Sequence, residues 1–198
     1  MHCKTLIRLC IAAWLLMSSC VLIAKDSEAT VIKSLKTKQS DGLPFEAFPD
    51  GSKFCVAIFV TTTCPIANSF QPELETLRGE YESQGVSFVQ VIPSARVSAE
   101  QAQRHRKQYK ITMPTLLDPQ QSIAKSLNAK VTPEAFLIDG HGRTLYQGRI
   151  SNLYAGFGKK RQSATQNDLA DAIDAALAGE EIVTKRTKAV GCIIRYSK

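Results

Sequence analysis

The strongest constraint on the fold is a buried strand that runs directly into a cysteine and a helix. Residues 54–60 (FCVAIFV) are continuously apolar and rich in β-branched side chains, which predicts a strand covered on both faces. Cys64 and Pro65 follow three threonines and open a segment with helical spacing, which runs to about Gln84. Amide hydrogens at the start of such a helix favour a thiolate, the nucleophile of disulfide exchange and of peroxide reduction. The sequence therefore predicts a reactive Cys64.

The rest of the chain predicts one α/β domain over residues 42–179. Further strands are predicted at residues 43–48, 86–92, 131–139 and 144–150, and further helices at 99–109, 119–127 and 165–178. Thr165 is expected to cap the last helix, with Asp168 as the reciprocal acid of the cap. This order predicts a central mixed β-sheet flanked by helices, with a βαβ crossover and a terminal hairpin.

Both ends of the chain differ from the domain. Residues 1–24 carry Lys4 and Arg8 before an apolar stretch and predict a signal peptide or a membrane anchor. The sequence Met17-Ser-Ser-Cys20 resembles a bacterial lipobox, which would place a lipid on Cys20; cleavage after Ala29 and an uncleaved anchor are the alternatives. Residues 25–41 are expected to be a polar tether, and residues 180–198 a tail. We expect an exported protein that faces the periplasm and meets the membrane only through its N-terminus.

Composition restricts the partners. The net charge of +7 is scattered over short basic groups, and no long basic block exists, so nucleic-acid binding is not predicted. No phosphate-binding glycine loop, paired carboxylates or metal-ligand spacing is visible, so no cofactor and no metal are predicted. A Cu(I) ion held by Cys64 and Cys192, in a non-enzymatic binding or copper-carrying module, is the alternative.

Four segments in order resemble the thioredoxin superfamily. They are the Cys64-Pro65 pair between strand and helix, Pro72 eight residues later, Val131-Thr-Pro133, and the turn DGHGR at residues 139–143. The resemblance implies a thioredoxin-like fold. It also implies that Pro133 packs beside the sulfur of Cys64.

Within this superfamily, Thr61-x-x-Cys64 resembles the active-site core of the peroxiredoxin-like redoxins of the AhpC/TSA type. That resemblance implies that the Thr61 hydroxyl and a guanidinium hold a peroxide against the thiolate. Arg149 is the best candidate for the guanidinium, and a surface arginine at a strand end is the alternative. Ala57 stands where these proteins carry a proline, so the match departs from their pattern.

A distant cysteine completes the expected site. The tail segment TKAVGC, residues 187–192, resembles a group of exported redoxin-like proteins with a C-terminal cysteine. This resemblance implies that Cys192 is a resolving partner for Cys64; a permanent structural disulfide is the alternative. Cys55 lies at the far end of the strand that precedes Cys64, too distant to pair with it, and is expected to be a buried core thiol. The expected substrate is a peroxide or a protein disulfide, with an unidentified thiol as electron donor.

Overall fold

A computed structural model describes residues 36–197 of the chain. The strands are, in order, β1 (Lys36–Lys38), β2 (Pro44–Glu46), β3 (Phe54–Phe59), β4 (Val86–Ile92), β5 (Thr115–Leu117), β6 (Val131–Thr132), β7 (Glu134–Asp139), β8 (Thr144–Gly148), β9 (Tyr154–Gly156), β10 (Lys159–Lys160) and β11 (Cys192–Ile193). The helices are α1 (Pro65–Ser69), α2 (Gln71–Tyr81), α3 (Ala99–Tyr109), α4 (Ser122–Ser126) and α5 (Asp168–Ala178).

The central sheet has five strands in the order β5-β4-β3-β7-β8. Strands β3, β4 and β5 run parallel, whereas β7 runs antiparallel to β3 and β8 runs antiparallel to β7. Phe54 at the start of β3 lies opposite Val86 on β4 and Asp139 on β7. The predicted mixed sheet flanked by helices, a thioredoxin-like fold, is therefore confirmed.

Strand β3 lies in the middle of this sheet and is covered on both faces. Val56 and Ile58 belong to a core shared with helices α1, α2 and α5. Cys55 and Phe59 point to the opposite face, into a second core that contains residues of β2 and α4. Cys55 is completely buried, and this burial raises the pKa of its thiol to about 11, although a hydrogen bond with Ser87 opposes the rise. The expectation of a buried core thiol is confirmed.

The helix predicted from residue 65 to residue 84 is divided. Helix α1 ends at Ser69, and α2 begins after Phe70 with Pro72 near its first turn. Proline has no backbone N–H and its ring clashes with the carbonyl four residues earlier, so one continuous helix cannot pass through Pro72. A short 3-10 turn, Glu82–Gln84, leads to Gly85, whose φ of 89° ends the segment.

Three other predicted boundaries were wrong. The helix expected at residues 119–127 covers only α4, and the strand expected at residues 144–150 ends at Gly148. The strand expected at residues 131–139 is interrupted at the cis peptide bond between Thr132 and Pro133, which separates β6 from β7.

The predicted cap of the last helix was also wrong. Helix α5 begins at Asp168, after Asn167. The backbone N–H of Thr165 donates to Oδ1 of Asn152, and the amide of Asn152 donates to Oγ1 of Thr165, each at 2.8 Å. Because Asn152 occupies the polar groups of Thr165, this threonine anchors a loop instead of capping a helix.

Some elements were not anticipated. The β9–β10 hairpin follows the central sheet, and β1 pairs with β2, so the end of the segment expected to be a tether is part of a strand pair. Between residues 36 and 197, no helix is long and apolar enough to cross a membrane. The predicted leader and the candidate lipidation residue Cys20 lie outside the described residues.

Candidate active site

Cys64 lies where β3 passes into α1. It is the N-cap residue of that helix, with extended backbone angles (φ −81°, ψ 111°), and Pro65 occupies the first helical position. The N–H of Ala67 donates to Sγ of Cys64 at 3.4 Å. Only 1% of Cys64 is exposed to solvent. The strand-to-helix transition therefore holds the thiol in a buried position in contact with a free amide.

The peptide before Pro133 lies against this sulfur. The Cys64 thiol donates to the carbonyl oxygen of Thr132 at 3.0 Å, and Oγ1 of Thr132 lies 3.4 Å from Oγ1 of Thr61. The structure thus gathers three of the candidate site residues, Cys64, Thr61 and Pro133, around one peptide unit. Thr132 is an additional site residue, and its position directly before Pro133 was the only sequence signal that pointed to it.

The C-terminal tail brings Cys192 to the same place. Strand β11 pairs antiparallel with β6, and Cys192 lies opposite Thr132. Both Cys64 and Cys192 are free thiols. Cys192 packs against the core cluster that contains Cys64, and each thiol affects the pKa of the other. Cys192, the candidate partner far along the sequence, is therefore adjacent to Cys64 in the fold.

The two thiols have opposite pKa shifts. Burial raises the pKa of Cys64, but hydrogen bonds from the Ala67 amide, from the thiol and amide of Cys192 and from Thr132 together outweigh it, so the pKa of Cys64 is lowered. Burial, the hydrogen bond with Cys64 and the negative charge on Cys64 raise the pKa of Cys192 to about 11. Cys64 is therefore the thiol that ionises, whereas Cys192 keeps its proton and donates a hydrogen bond to the Cys64 sulfur.

We refer to residues 185–197, which carry Cys192, as the strap. Its first part follows β8: the N–H of Gln147 donates to the carbonyl of Lys185, and the N–H of Thr187 donates to the carbonyl of Gln147, both at 3.0 Å. Oγ1 of Thr187 lies 2.6 Å from the hydroxyl of the fully buried Tyr146 and accepts from the N–H of Arg149 at 2.9 Å. The strap is thus fixed to the edge strand of the sheet before it reaches the site.

The end of the strap is anchored on the opposite side. Ile194 is buried in the second core, and its N–H donates to the carbonyl of Lys130 at 2.9 Å. The hydroxyl of Tyr196 contacts the carbonyls of Ala124 and Ala129 at 2.9 and 2.6 Å. Gln121 donates to the carbonyl of Arg195 at 2.8 Å. Cys192 therefore lies between two attached segments.

Arg149, the candidate guanidinium of the site, forms an ion pair with Asp168. Its Nε donates to Oδ2 of Asp168 at 2.7 Å and one terminal nitrogen donates to Oδ1 of the same carboxylate at 3.0 Å. The hydrogen bond with Asp168 raises the pKa of Arg149, although partial burial opposes this effect. The Asp168 carboxylate, which the sequence had assigned to a helix cap, thus compensates the guanidinium charge.

A polar group behind the site was not found by sequence reasoning. Asn68 on α1 donates to the carbonyl of Thr62 and to the hydroxyl of Tyr109, both at 3.1 Å, and its carbonyl oxygen lies 2.8 Å from Nε2 of His105. His105 is buried, and burial lowers its pKa. This network connects the threonine loop before Cys64 to helix α3. The sequence signal that pointed to Asn68 was its position one helical turn after Cys64.

No group of three or more histidine, cysteine or acidic side chains with the geometry of a metal site occurs within residues 36–197.

Comparison with known proteins agrees with this geometry. A protein-family model described as Redoxin matches residues 23–157, more than half of the chain. No curated protein matches significantly. A hypothetical protein from Sinorhizobium meliloti 1021 shares 27% identity over 82% of this chain and 91% of its own, with a TM-score of 0.72.

Two further solved structures share the fold. An uncharacterized conserved protein from Geobacillus kaustophilus has 24% identity over 82% of this chain and 88% of its own, with a TM-score of 0.72. A secreted Mycobacterium tuberculosis disulfide oxidoreductase, homologous to E. coli DsbE, has 19% identity over 74% of this chain and 98% of its own, with a TM-score of 0.54. The family match over residues 23–157 shows that the chain belongs to the Redoxin family, and its fold is thioredoxin-like.

Proposed function

We propose that this protein is a two-cysteine thiol oxidoreductase in which Cys64 reacts with the substrate and Cys192 resolves the product. The observation that supports the proposal most directly is the contact between the two thiols beside Thr132, with a lowered pKa on Cys64 and a raised pKa on Cys192. A nucleophilic thiol needs to be ionised near neutral pH, whereas a resolving thiol acts after the first step.

The proposed cycle has three steps. The Cys64 thiolate attacks the oxidant: a hydroperoxide loses its O–O bond, gives a sulfenate and releases an alcohol or water, whereas a disulfide loses its S–S bond, gives a mixed disulfide and releases one thiol. The Cys192 thiol then attacks the Cys64 sulfur, which releases water or the substrate thiol and leaves a Cys64–Cys192 disulfide. Two equivalents of an external thiol donor reduce this disulfide and restore both cysteines. In this proposal Thr61, whose hydroxyl lies 3.4 Å from that of Thr132, donates a hydrogen bond to the bound oxidant.

Attack by the donor is expected at Cys192. Its side chain is half-buried, whereas Cys64 is almost inaccessible. The thiol with the lower pKa is also the better leaving group, so attack on Cys192 expels the Cys64 thiolate. We further propose an exported protein, as one structural neighbour is described as secreted. A lipid on Cys20 or a signal anchor would hold it at the membrane.

Peptide mapping after oxidation tests the proposal. One equivalent of hydrogen peroxide or of a small disulfide added to the reduced protein should yield a peptide pair linked by Cys64 and Cys192. The variant Cys64→Ser should give no such product, and Cys192→Ser should stop at a sulfenate or a mixed disulfide on Cys64. Cys55→Ala is the matched control and should behave as the unmodified protein, because Cys55 lies in the core.

A Cys64 that does not react at neutral pH would contradict the whole proposal. A Cys192→Ser variant that turns over at the normal rate would remove the resolving role but keep the nucleophile. A Cys64–Cys192 disulfide that a dithiol reductant opens only after unfolding would identify it as a structural crosslink instead.

A further inference from the structure

The strap and the Cys64 sulfur contact the same carbonyl group. The oxygen of Thr132 accepts the hydrogen bond from Cys64 at 3.0 Å. A Cβ atom placed on Gly191 would lie 2.1 Å from that oxygen and 2.5 Å from the carbonyl carbon of Thr132. The strap backbone therefore lies directly on this peptide unit, at a distance that only glycine allows. Cys192 and β11 then continue along the free edge of β6.

This position leaves no room for a second polypeptide. A protein disulfide that reacts with Cys64 must form a mixed disulfide, whose two Cα atoms are usually separated by about 4.4–6.8 Å. The incoming backbone would therefore have to lie close to Cys64 and Thr132. Gly191 and Cys192 already occupy that place, with Cys192 paired to Thr132. The strap is attached on both sides of Cys192, through Thr187 and through Ile194.

From this arrangement, and on the basis of the function proposed above, we propose that the strap excludes polypeptide disulfides from Cys64 and restricts its oxidising substrates to small molecules that include hydroperoxides. A hydroperoxide has no backbone and needs only its terminal oxygen in line with the sulfur. The Cys64 thiolate takes that oxygen, the O–O bond breaks, and the released alkoxide or hydroxide takes a proton from water. The Cys64 sulfenic acid then condenses with the Cys192 thiol, which forms the disulfide and water.

The experiment uses the full chain and three oxidants of different size. Cys192→Ser serves as the background, because it keeps the strap and traps the first product on Cys64. Two variants loosen the strap in this background. Gly191→Ala places a methyl group against backbone atoms of Thr132. Ile194→Ala with Tyr196→Phe weakens the far anchor, which consists of the second core and the carbonyls of Ala124 and Ala129. The control is Gly79→Ala, at a helix position with open space.

The oxidants are hydrogen peroxide, bis(2-hydroxyethyl) disulfide and insulin. Mass spectrometry measures the sulfenate, trapped with dimedone, and the mixed disulfides on Cys64. With the strap in place we expect sulfenate and the small mixed disulfide but no insulin adduct. The ratio of the insulin adduct to the bis(2-hydroxyethyl) disulfide adduct on Cys64 should increase at least about tenfold in either loosened variant. The Gly79→Ala control should leave this ratio unchanged. Circular dichroism and thermal unfolding confirm that each variant is folded.

The outcomes separate this inference from the proposed function. Insulin that reacts with Cys192→Ser as readily as in the loosened variants would overturn the inference. Reaction with the small disulfide but none with hydrogen peroxide would overturn hydroperoxides as a substrate class. The proposed function, a thiol oxidoreductase, would then still stand. A Cys64 that is unreactive towards all three oxidants in every variant would overturn both.

Discussion

Replacing Cys192 by alanine is expected to raise the pKa of Cys64. The Cys192 thiol donates a hydrogen bond that stabilises the Cys64 thiolate, and alanine has no donor. The amide of Ala67, the backbone of Cys192 and the Thr132 hydroxyl would remain, so part of the lowering should persist. Alanine also keeps the backbone pairing of β11 with β6, because that pairing uses main-chain groups.

The size of the effect follows from the strength of one hydrogen bond. A hydrogen bond to an ionised group contributes about 1.5–3 kcal/mol, and one pKa unit corresponds to about 1.4 kcal/mol. Cys192 is only half-buried, so water can replace part of the lost interaction. We therefore expect the pKa of Cys64 to rise by about one unit in Cys192→Ala. Cys192→Ser keeps an O–H donor and should give a smaller rise.

The pKa can be read from the pH dependence of iodoacetamide alkylation, with thiolate absorbance as a second measurement. Cys55 should not contribute, because it is fully buried and its pKa is raised to about 11. An unchanged pKa in Cys192→Ala, within about 0.3 units, would refute the role of the Cys192 thiol as a donor. An equal rise in the alanine and serine variants would show that displacement of the strap, and not the lost hydrogen bond, is the cause.

Two further predictions concern Arg149 and His105. Arg149→Lys loses the two hydrogen bonds to the Asp168 carboxylate and should lower the free energy of unfolding by about 1 kcal/mol in urea titrations. The rate at which Cys64 reacts with peroxide should stay within about threefold of that of the unmodified protein. A loss of reactivity of tenfold or more would instead support the peroxide-holding role suggested by the sequence. His105 has a lowered pKa in the folded protein, so the unfolded chain binds the proton first and stability should fall as the pH decreases through about 6.5. His105→Gln should remove this slope in denaturation curves measured between pH 5 and 8; an unchanged slope would assign it to another group.

The sequence predicted the features that depend on neighbouring residues. The apolar run before Cys64 and the proline after it define a strand and a helix start locally, and both are present in the fold. The central sheet followed from the order of such segments. Hydrophobic periodicity and turn residues carry this information, because each element buries a face whose spacing is visible along the chain.

Features that depend on competition between distant groups were predicted less well. Asp168 could cap its own helix or pair with Arg149, and the ion pair across the fold was formed. Thr165 could cap the helix or bond Asn152, and Asn152 offers both a donor and an acceptor. The β9–β10 hairpin is held by contacts such as the 2.9 Å bond between Tyr154 and Ser69, which no local pattern reveals.

The strap also determines when the site becomes complete during synthesis. Cys64 belongs to the central strand-to-helix unit, whereas its proposed partner Cys192 lies about 130 residues later, in the strap. If the proposed function holds, a chain whose strap has not yet been made or docked has the nucleophilic Cys64 without its resolving thiol. Oxidation at that stage could be repaired only by an outside thiol. Docking of the strap on β6 is therefore the folding step that brings Cys192 to Cys64 and completes the proposed pair.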